Sequence, residues 1–202
     1  MITWRRASVA ALLLANAYPL IGLLYLDWKP GDVLIAYWLE NVAVGIWTVL
    51  KIATATGANS AATAGNGLKF VLVPFFCVHY GIFTIGHGVF ALIIANDIGF
   101  SSASAKWSSA FLVLFVSHGM SFLGNWVLGG ERSRTSPSAA MAHPYGRIVV
   151  LHVAVLGGFF LITRYGGDPR NPALLLIGLK TLLDLGLFAA SHRPLERTGG
   201  GG

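Results

Sequence analysis

The sequence predicts an all-α integral membrane bundle of about six transmembrane helices. Three observations carry that prediction. Of the 202 residues, 55% are hydrophobic and only 11% charged, where a soluble domain carries about 25% charge. Mean hydropathy is +0.68, and apolar stretches of roughly 20 residues, the length that crosses about 30 Å of hydrocarbon, recur throughout. The runs Ala110 to Val116 and Leu174 to Leu179 are apolar on every side, which excludes the strict alternation of a β-barrel strand. No stretch remains for a separate soluble domain, so residues 1–202 read as a single transmembrane domain.

The expected helices cover about 8–26, 32–53, 70–95, 107–129, 146–164 and 172–190. Arg5 and Arg6 precede the first, and Ala15-Asn16-Ala17 resembles a signal-peptidase site. Apolar sequence continues past that site through Pro19 to Leu26, so an uncleaved anchor is expected. Pro19 and Pro74 sit inside runs where neighbouring helices can compensate a lost hydrogen bond. Between the second and third helices, Gly57 to Gly67 has no apolar period and reads as a flexible linker. Residues 130–145, GERSRTSPSAAMAHPY, form the longest polar loop, and 199–202 read as a disordered tail.

Lysine and arginine set the expected orientation. With the N-terminus inside, nine fall on the inner side (Arg5, Arg6, Lys51, Lys69, Arg132, Arg134, Arg147, Arg193 and Arg197) and four on the outer side (Lys29, Lys106, Arg164 and Arg170), with Lys180 inside a helix. The excess of positive charge places both termini in the cytoplasm. The same scatter explains the net charge of +6 without a nucleic-acid partner, and the lipid bilayer is the expected surrounding. Cys77 is the single cysteine, so neither an intrachain disulfide nor a cysteine metal cluster can form.

Ionisable groups in hydrocarbon cost on the order of 2.5–3.5 kcal/mol each, so they need a partner, a cavity or a ligand. The second helix carries Tyr37, Glu40 and Asn41, the third His79, Tyr80 and His87, the fourth His118, Ser121 and Asn125, the fifth His152, and the sixth Lys180 and Asp184. At about 1.5 Å per residue, Glu40 lies about 12 Å from the outer surface, His118 about 16 Å, Lys180 about 12 Å and Asp184 about 18 Å, with His79 about 14 Å from the inner one. His87 falls near the outer face, and Asn125 and His152 toward the cytoplasm. Tyr37, Glu40 and Asn41 share one helical stripe, as do His118, Ser121 and Asn125, and both stripes are expected to face the interior. Lys180 and Asp184, at i and i+4, can pair within their helix. Gly81, Gly86, Gly88, Gly119, Gly124, Gly157 and Gly158 would let helices approach closely.

At Tyr37-Trp38-Leu39-Glu40-Asn41, His79-Tyr80-Gly81, Ser117-His118-Gly119, Gly146 to His152 (GRIVVLH) and Lys180-x-x-x-Asp184, the chain resembles a bacterial family of multi-pass membrane proteins catalogued as a domain of unknown function. The resemblance implies a shared membrane architecture, in the bacterial inner membrane, and brings no activity with it.

The residues themselves admit several chemistries. Glu40, His79, His118 and Asp184 are metal-ligand types at one inferred depth. They could converge on a divalent ion, zinc by preference and iron or manganese by the same donors. Tyr37, Asn41, Ser121, Asn125 and Lys180 would surround it. With Glu40 as general base beside a metal held by His79, His118 and Asp184, the chain would be a metal-dependent intramembrane hydrolase of an amphiphilic, lipid or small-molecule substrate. No H-E-x-x-H, H-x-x-x-H or cysteine pair accompanies these residues. A haem with His79 and His118 as axial ligands is the alternative cofactor. A proton relay or cation transporter would use the same carboxylates and imidazoles. A purely structural hydrogen-bonded network, with Lys180 neutralising Glu40 or Asp184, would also satisfy them. Serine chemistry is the weakest option, since Ser117 and Ser121 lack a Gly-x-Ser-x-Gly elbow. Arg147 reads as an anchor at the cytoplasmic face, where phosphate or anionic lipid would be attracted. His152 lies about 140° around the helix from it. His143 and His192 fall at expected interfaces and read as exposed.

Overall fold

The computed structural model describes residues 17–57, 64–101, 104–146, 148–149 and 170–191, with single positions 157, 160, 164 and 168. All elements among them are helical. A stretch at 17–25 leads into α1 (Pro30–Thr54), α2 (Ala64–Ile98) and α3 (Ser104–Ser121). α3 continues as a π-helical segment, Phe122–Leu128, and two short helices follow, α4 (Glu131–Arg134) and α5 (Pro137–Ala142). The last, α6, is Arg170–Ser191. The described residues include three helices long and apolar enough to cross a membrane: Pro30–Thr54, Gly67–Ile98 and Ala105–Leu128. Residues 8–16 of the expected first helix, most of the expected fifth, and the tail at 199–202 lie outside the described residues.

α1 is the central helix. α2 and α3 pack along it on different sides, and α5 and α6 also touch it, whereas α2 and α3 barely meet. Consequently α1 is largely buried while α2 exposes Phe70, Val71, Val78, Ile82, Ile85 and Phe90, the apolar surface that hydrocarbon would cover. α2 runs antiparallel to α1, since the Gly31 amide at the start of α1 donates to the Gly99 carbonyl just past the end of α2, at 3.0 Å. Gly99 has φ +86°, a left-handed turn that glycine adopts without strain. α3 runs parallel to α1, with Trp107 against Asp32 near their beginnings and Trp126 against Thr54 near their ends.

One packing device recurs three times. On α1, Trp38 lies over Gly88 of α2 and its Nε1–H donates to the Thr84 carbonyl at 2.9 Å. Trp47 lies over Gly119 of α3 and donates to the Phe115 carbonyl at 3.0 Å. In the reverse direction, Tyr80 of α2 lies over Gly45 of α1 and its hydroxyl donates to the Asn41 carbonyl at 2.9 Å. In each case the accepting carbonyl is four residues before the glycine. That carbonyl already accepts the glycine's own helical N–H and has a second lone pair to offer. A Cβ on any of the three glycines would stand 2.6–2.7 Å from the ring, so only glycine opens the approach. Trp38 and Trp47 are nine residues apart, about 180° around α1, and therefore grip neighbours on opposite sides.

The stretch expected to be the longest polar loop is a folded cap. The Thr56 and Gly57 amides donate to the carbonyls of Arg132 and Thr135 at 2.7 and 3.0 Å, closing the C-terminal end of α1. Ser136 accepts from the Ala139 amide at 3.2 Å, with Pro137 in the first turn of α5, an N-terminal signal present in the sequence. The expected linker 57–67 is shortened too, because α2 begins at Ala64.

Candidate functional site, a buried Glu–His–Lys cluster

Two apolar clusters divide the bundle. One gathers Val33, Leu34 and Tyr37 with Ile94, Ala110, Ala173 and Ile177 around the start of α1. The other gathers Ile52 with Phe76, Tyr80, Trp126 and Ala140 around its end. Between them α1 presents Glu40, only 4% exposed. Its Oε2 receives Lys180 Nζ from α6 at 2.7 Å, and its Oε1 receives His118 Nε2 from α3 at 3.2 Å. Lys180 is itself 8% exposed and its Nζ stands 5.1 Å from the centre of the Tyr37 ring. Three helices thus contribute one ionisable group each to a single contact. The lysine neutralises the carboxylate, and the imidazole takes the remaining oxygen, which is the arrangement that makes a buried charge tolerable.

A cavity of about 100 Å³ opens beside this cluster. Val44, Trp47, Thr48 and Lys51 of α1, His118 and Ser121 of α3, and His143 and Pro144 after α5 line it. Of the three clustered groups, His118 is the one on its wall. Glu40, Val44, Trp47 and Lys51 recur at helical spacing on α1, so cavity and cluster share one face over about 16 Å. At the far end, Lys51 Nζ lies 5.5 Å from the Trp126 ring centre. The π-helical segment Phe122–Leu128 immediately follows Ser121, and Asn125 within it donates to Ser121 Oγ at 3.2 Å. Such widened turns are frequent next to functional groups. Outside the apolar spans, His143 has its pKa lowered, first by desolvation and then by the Lys51 charge, with Glu131 opposing. Burial raises Tyr145 above its usual value.

The residues expected to form a metal site are distributed otherwise. Glu40 and His118 meet, but His79 is exposed on α2, stacked on Phe75 with ring centres 5.4 Å apart and edge-on to Phe83 at 5.2 Å. The reason is register. Tyr80, one residue on, takes the buried position toward α1 and turns His79 about 100° away from it. Among the described residues no three His, Cys, Asp or Glu side chains come together. Lys180 supplies the positive charge that an ion would have supplied. Nor are His79 and His118 on neighbouring helices, as axial haem ligands would need, because α1 lies between α2 and α3. Lys180 is paired with Glu40, while the side chain of Asp184 lies outside the described residues, as do Arg147 and His152. His87 Nδ1 donates to the Phe83 carbonyl within its own helix at 2.5 Å. Tyr37 and Asn41 are buried next to Glu40.

Several groups escaped the sequence reading. Lys51, expected only as an inner-side charge, and His143, expected at an exposed interface, line the cavity with Thr48. Asp32, passed over entirely, is fully buried. Its carboxylate accepts from the Lys29 amide at 2.9 Å, from the Ser101 amide at 3.0 Å and hydroxyl at 2.9 Å, and from Trp107 Nε1 at 3.0 Å. It fastens the N-terminus of α1, where a negative charge also suits the helix dipole, to the α2–α3 connection. Lys-Pro-Gly-Asp, with proline and an acid in a first helical turn, was the available signal.

No curated protein and no solved structure matches this chain. A family model described as "Family of unknown function (DUF6498)" matches residues 2–200, and the chain belongs to that family.

Proposed function

We propose that this chain is an integral membrane protein, in the bacterial inner membrane with both termini cytoplasmic, that handles protons at the Glu40–His118–Lys180 cluster, as a relay or as a proton-coupled carrier. The observation that carries the reading is His118, which bonds Glu40 on one side and lines a polar cavity on the other. Imidazole titrates in the physiological range, and the Glu40 carboxylate within hydrogen-bond reach favours its charged form, which adds one positive charge to the Glu40–Lys180 pair until the proton is passed on. Protons would enter by way of the cavity, past Thr48 and Ser121, from the end that carries Lys51, Arg132, Arg134 and His143. The test is proton flux into proteoliposomes under a potassium diffusion potential, in a buffer of mixed small anions, read with an internal pH dye. Wild type should acidify the lumen, and His118→Gln and Glu40→Gln should not. Flux equal to that of protein-free vesicles would sink the reading.

A second reading is a hydrolase of amphiphilic substrates, favoured by Ser121 and His118 sharing the cavity wall with Glu40 behind the imidazole. In it His118 is the general base and Glu40 its positioning residue. It expects hydrolysis of a fluorogenic acyl ester that both His118→Gln and Ser121→Ala abolish. A metal-dependent version is less well supported, since both Glu40 oxygens are engaged.

A further inference from the structure

We infer that the cavity between α1, α3 and the segment after α5 is a binding site for a small oxyanion, a phosphate or phosphate-like group. The inference rests on the proton-handling reading and names what would move or react with the proton. Three basic side chains from three separate elements, Lys51, His118 and His143, converge on one cavity together with the hydroxyls of Thr48 and Ser121. Such a set supplies charge-assisted and neutral donors to several oxygens at once. The Glu40 carboxylate behind His118 does not oppose an anion strongly, because Lys180 at 2.7 Å balances it. Glu131 is the acidic group that acts on His143 from α4, while Arg132 and Arg134 on that same helix are exposed and add positive charge to this end of the bundle. Size points the same way. A cavity of about 100 Å³ is well below the roughly 300–1,000 Å³ of sites for drug-sized organic molecules. It holds several waters or one compact tetrahedral group. Trp47 forms an apolar wall, so the remainder of an esterified phosphate would have to stay outside, in water or in lipid. An anion seated here lies beside His118, and each would favour the other's charged state, which couples anion binding to proton uptake.

The shared chemistry is a phosphate, and its source is either free phosphate or a lipid headgroup. The test uses the full chain in phosphatidylcholine nanodiscs, titrated with inorganic phosphate by calorimetry, and a second preparation containing phosphatidic acid, followed by phosphorus NMR. Saturable binding in either arm is expected, weakened roughly tenfold or more by Lys51→Met and by His143→Gln, as loss of one charge-assisted contact implies. Because Lys51 also packs on Trp126, the exposed His143 supplies the variant that leaves the bundle intact, with circular dichroism as the check. Binding of inorganic phosphate identifies a free anion, and binding of phosphatidic acid alone identifies a headgroup. No binding in either arm, or binding unchanged in both variants, overturns the site. Binding without proton flux would overturn the relay alone, and flux without binding would overturn the anion site alone.

Discussion

Glu40 and Lys180 illustrate how an unfavourable pair of residues becomes a stable feature. Each would be costly alone in hydrocarbon, and together at 2.7 Å they are tolerated without being strongly stabilising. Lys180→Met should therefore destabilise the protein in detergent by about 3–5 kcal/mol, because an uncompensated carboxylate is left buried. The double variant Lys180→Met with Glu40→Gln should recover much of that loss, and a double variant as unstable as the sum of the two singles would show that the pair is not coupled. His143 makes a different prediction. Its lowered pKa, caused by desolvation and Lys51, means that the unfolded chain binds the proton more readily than the folded one. Stability is then complete above the unfolded value of about 6.5 and declines as pH falls through it toward the lower folded value. Melting temperature measured from pH 7.5 downward should drop less in His143→Gln than in wild type, and parallel curves would refute the assignment.

Helix interfaces here depend on indole and phenol rings reaching past glycines to carbonyl oxygens. Gly119→Leu should clash with Trp47, whose ring already stands 2.7 Å from the Cβ position, and cost about 1–3 kcal/mol. Gly86→Leu, where a side chain meets open space, should cost much less, so equal losses in a thermal melt would refute the device. At this scale the sequence was informative about glycines as approach points but not about which ones. Gly88 and Gly119 receive tryptophans, while Gly81 and Gly86 face nothing within 4 Å. Apolar content alone cannot tell the two sets apart, because a lipid-facing and a helix-facing position are equally hydrophobic. The same ambiguity explains His79. Depth along a helix follows from counting residues, but the angular position of His79 against Tyr80 is decided by which ring fits Gly45. The π-helical turns after Ser121 were not legible either, since a single inserted backbone step leaves no compositional trace.

For the whole molecule, hydropathy was enough to read an all-α chain and to locate Pro30–Thr54 within two residues at its start and one at its end. What it could not provide was the arrangement, in which one helix is central and a polar layer lies between two apolar clusters. The joining of Glu40 to His118 and Lys180 follows from that arrangement, because α3 and α6 both run beside α1. The folded cap at 131–145 was hidden by its polar composition, which reads as loop although Ser136-Pro137 begins a helix. Orientation belongs to this scale. In a Cys77→Ser background, a cysteine at the exposed Ser138 should react with an impermeant maleimide only in inverted vesicles, whereas labelling in intact cells would place the cavity on the outer side. The central claim, that His118 exchanges protons while held by Glu40, is tested most directly by nitrogen-15 NMR of histidine-labelled protein in nanodiscs. The His118 ring signals should titrate with the buffer and shift their midpoint in Glu40→Gln, whereas signals that do not titrate, or that are identical in the two proteins, would contradict it.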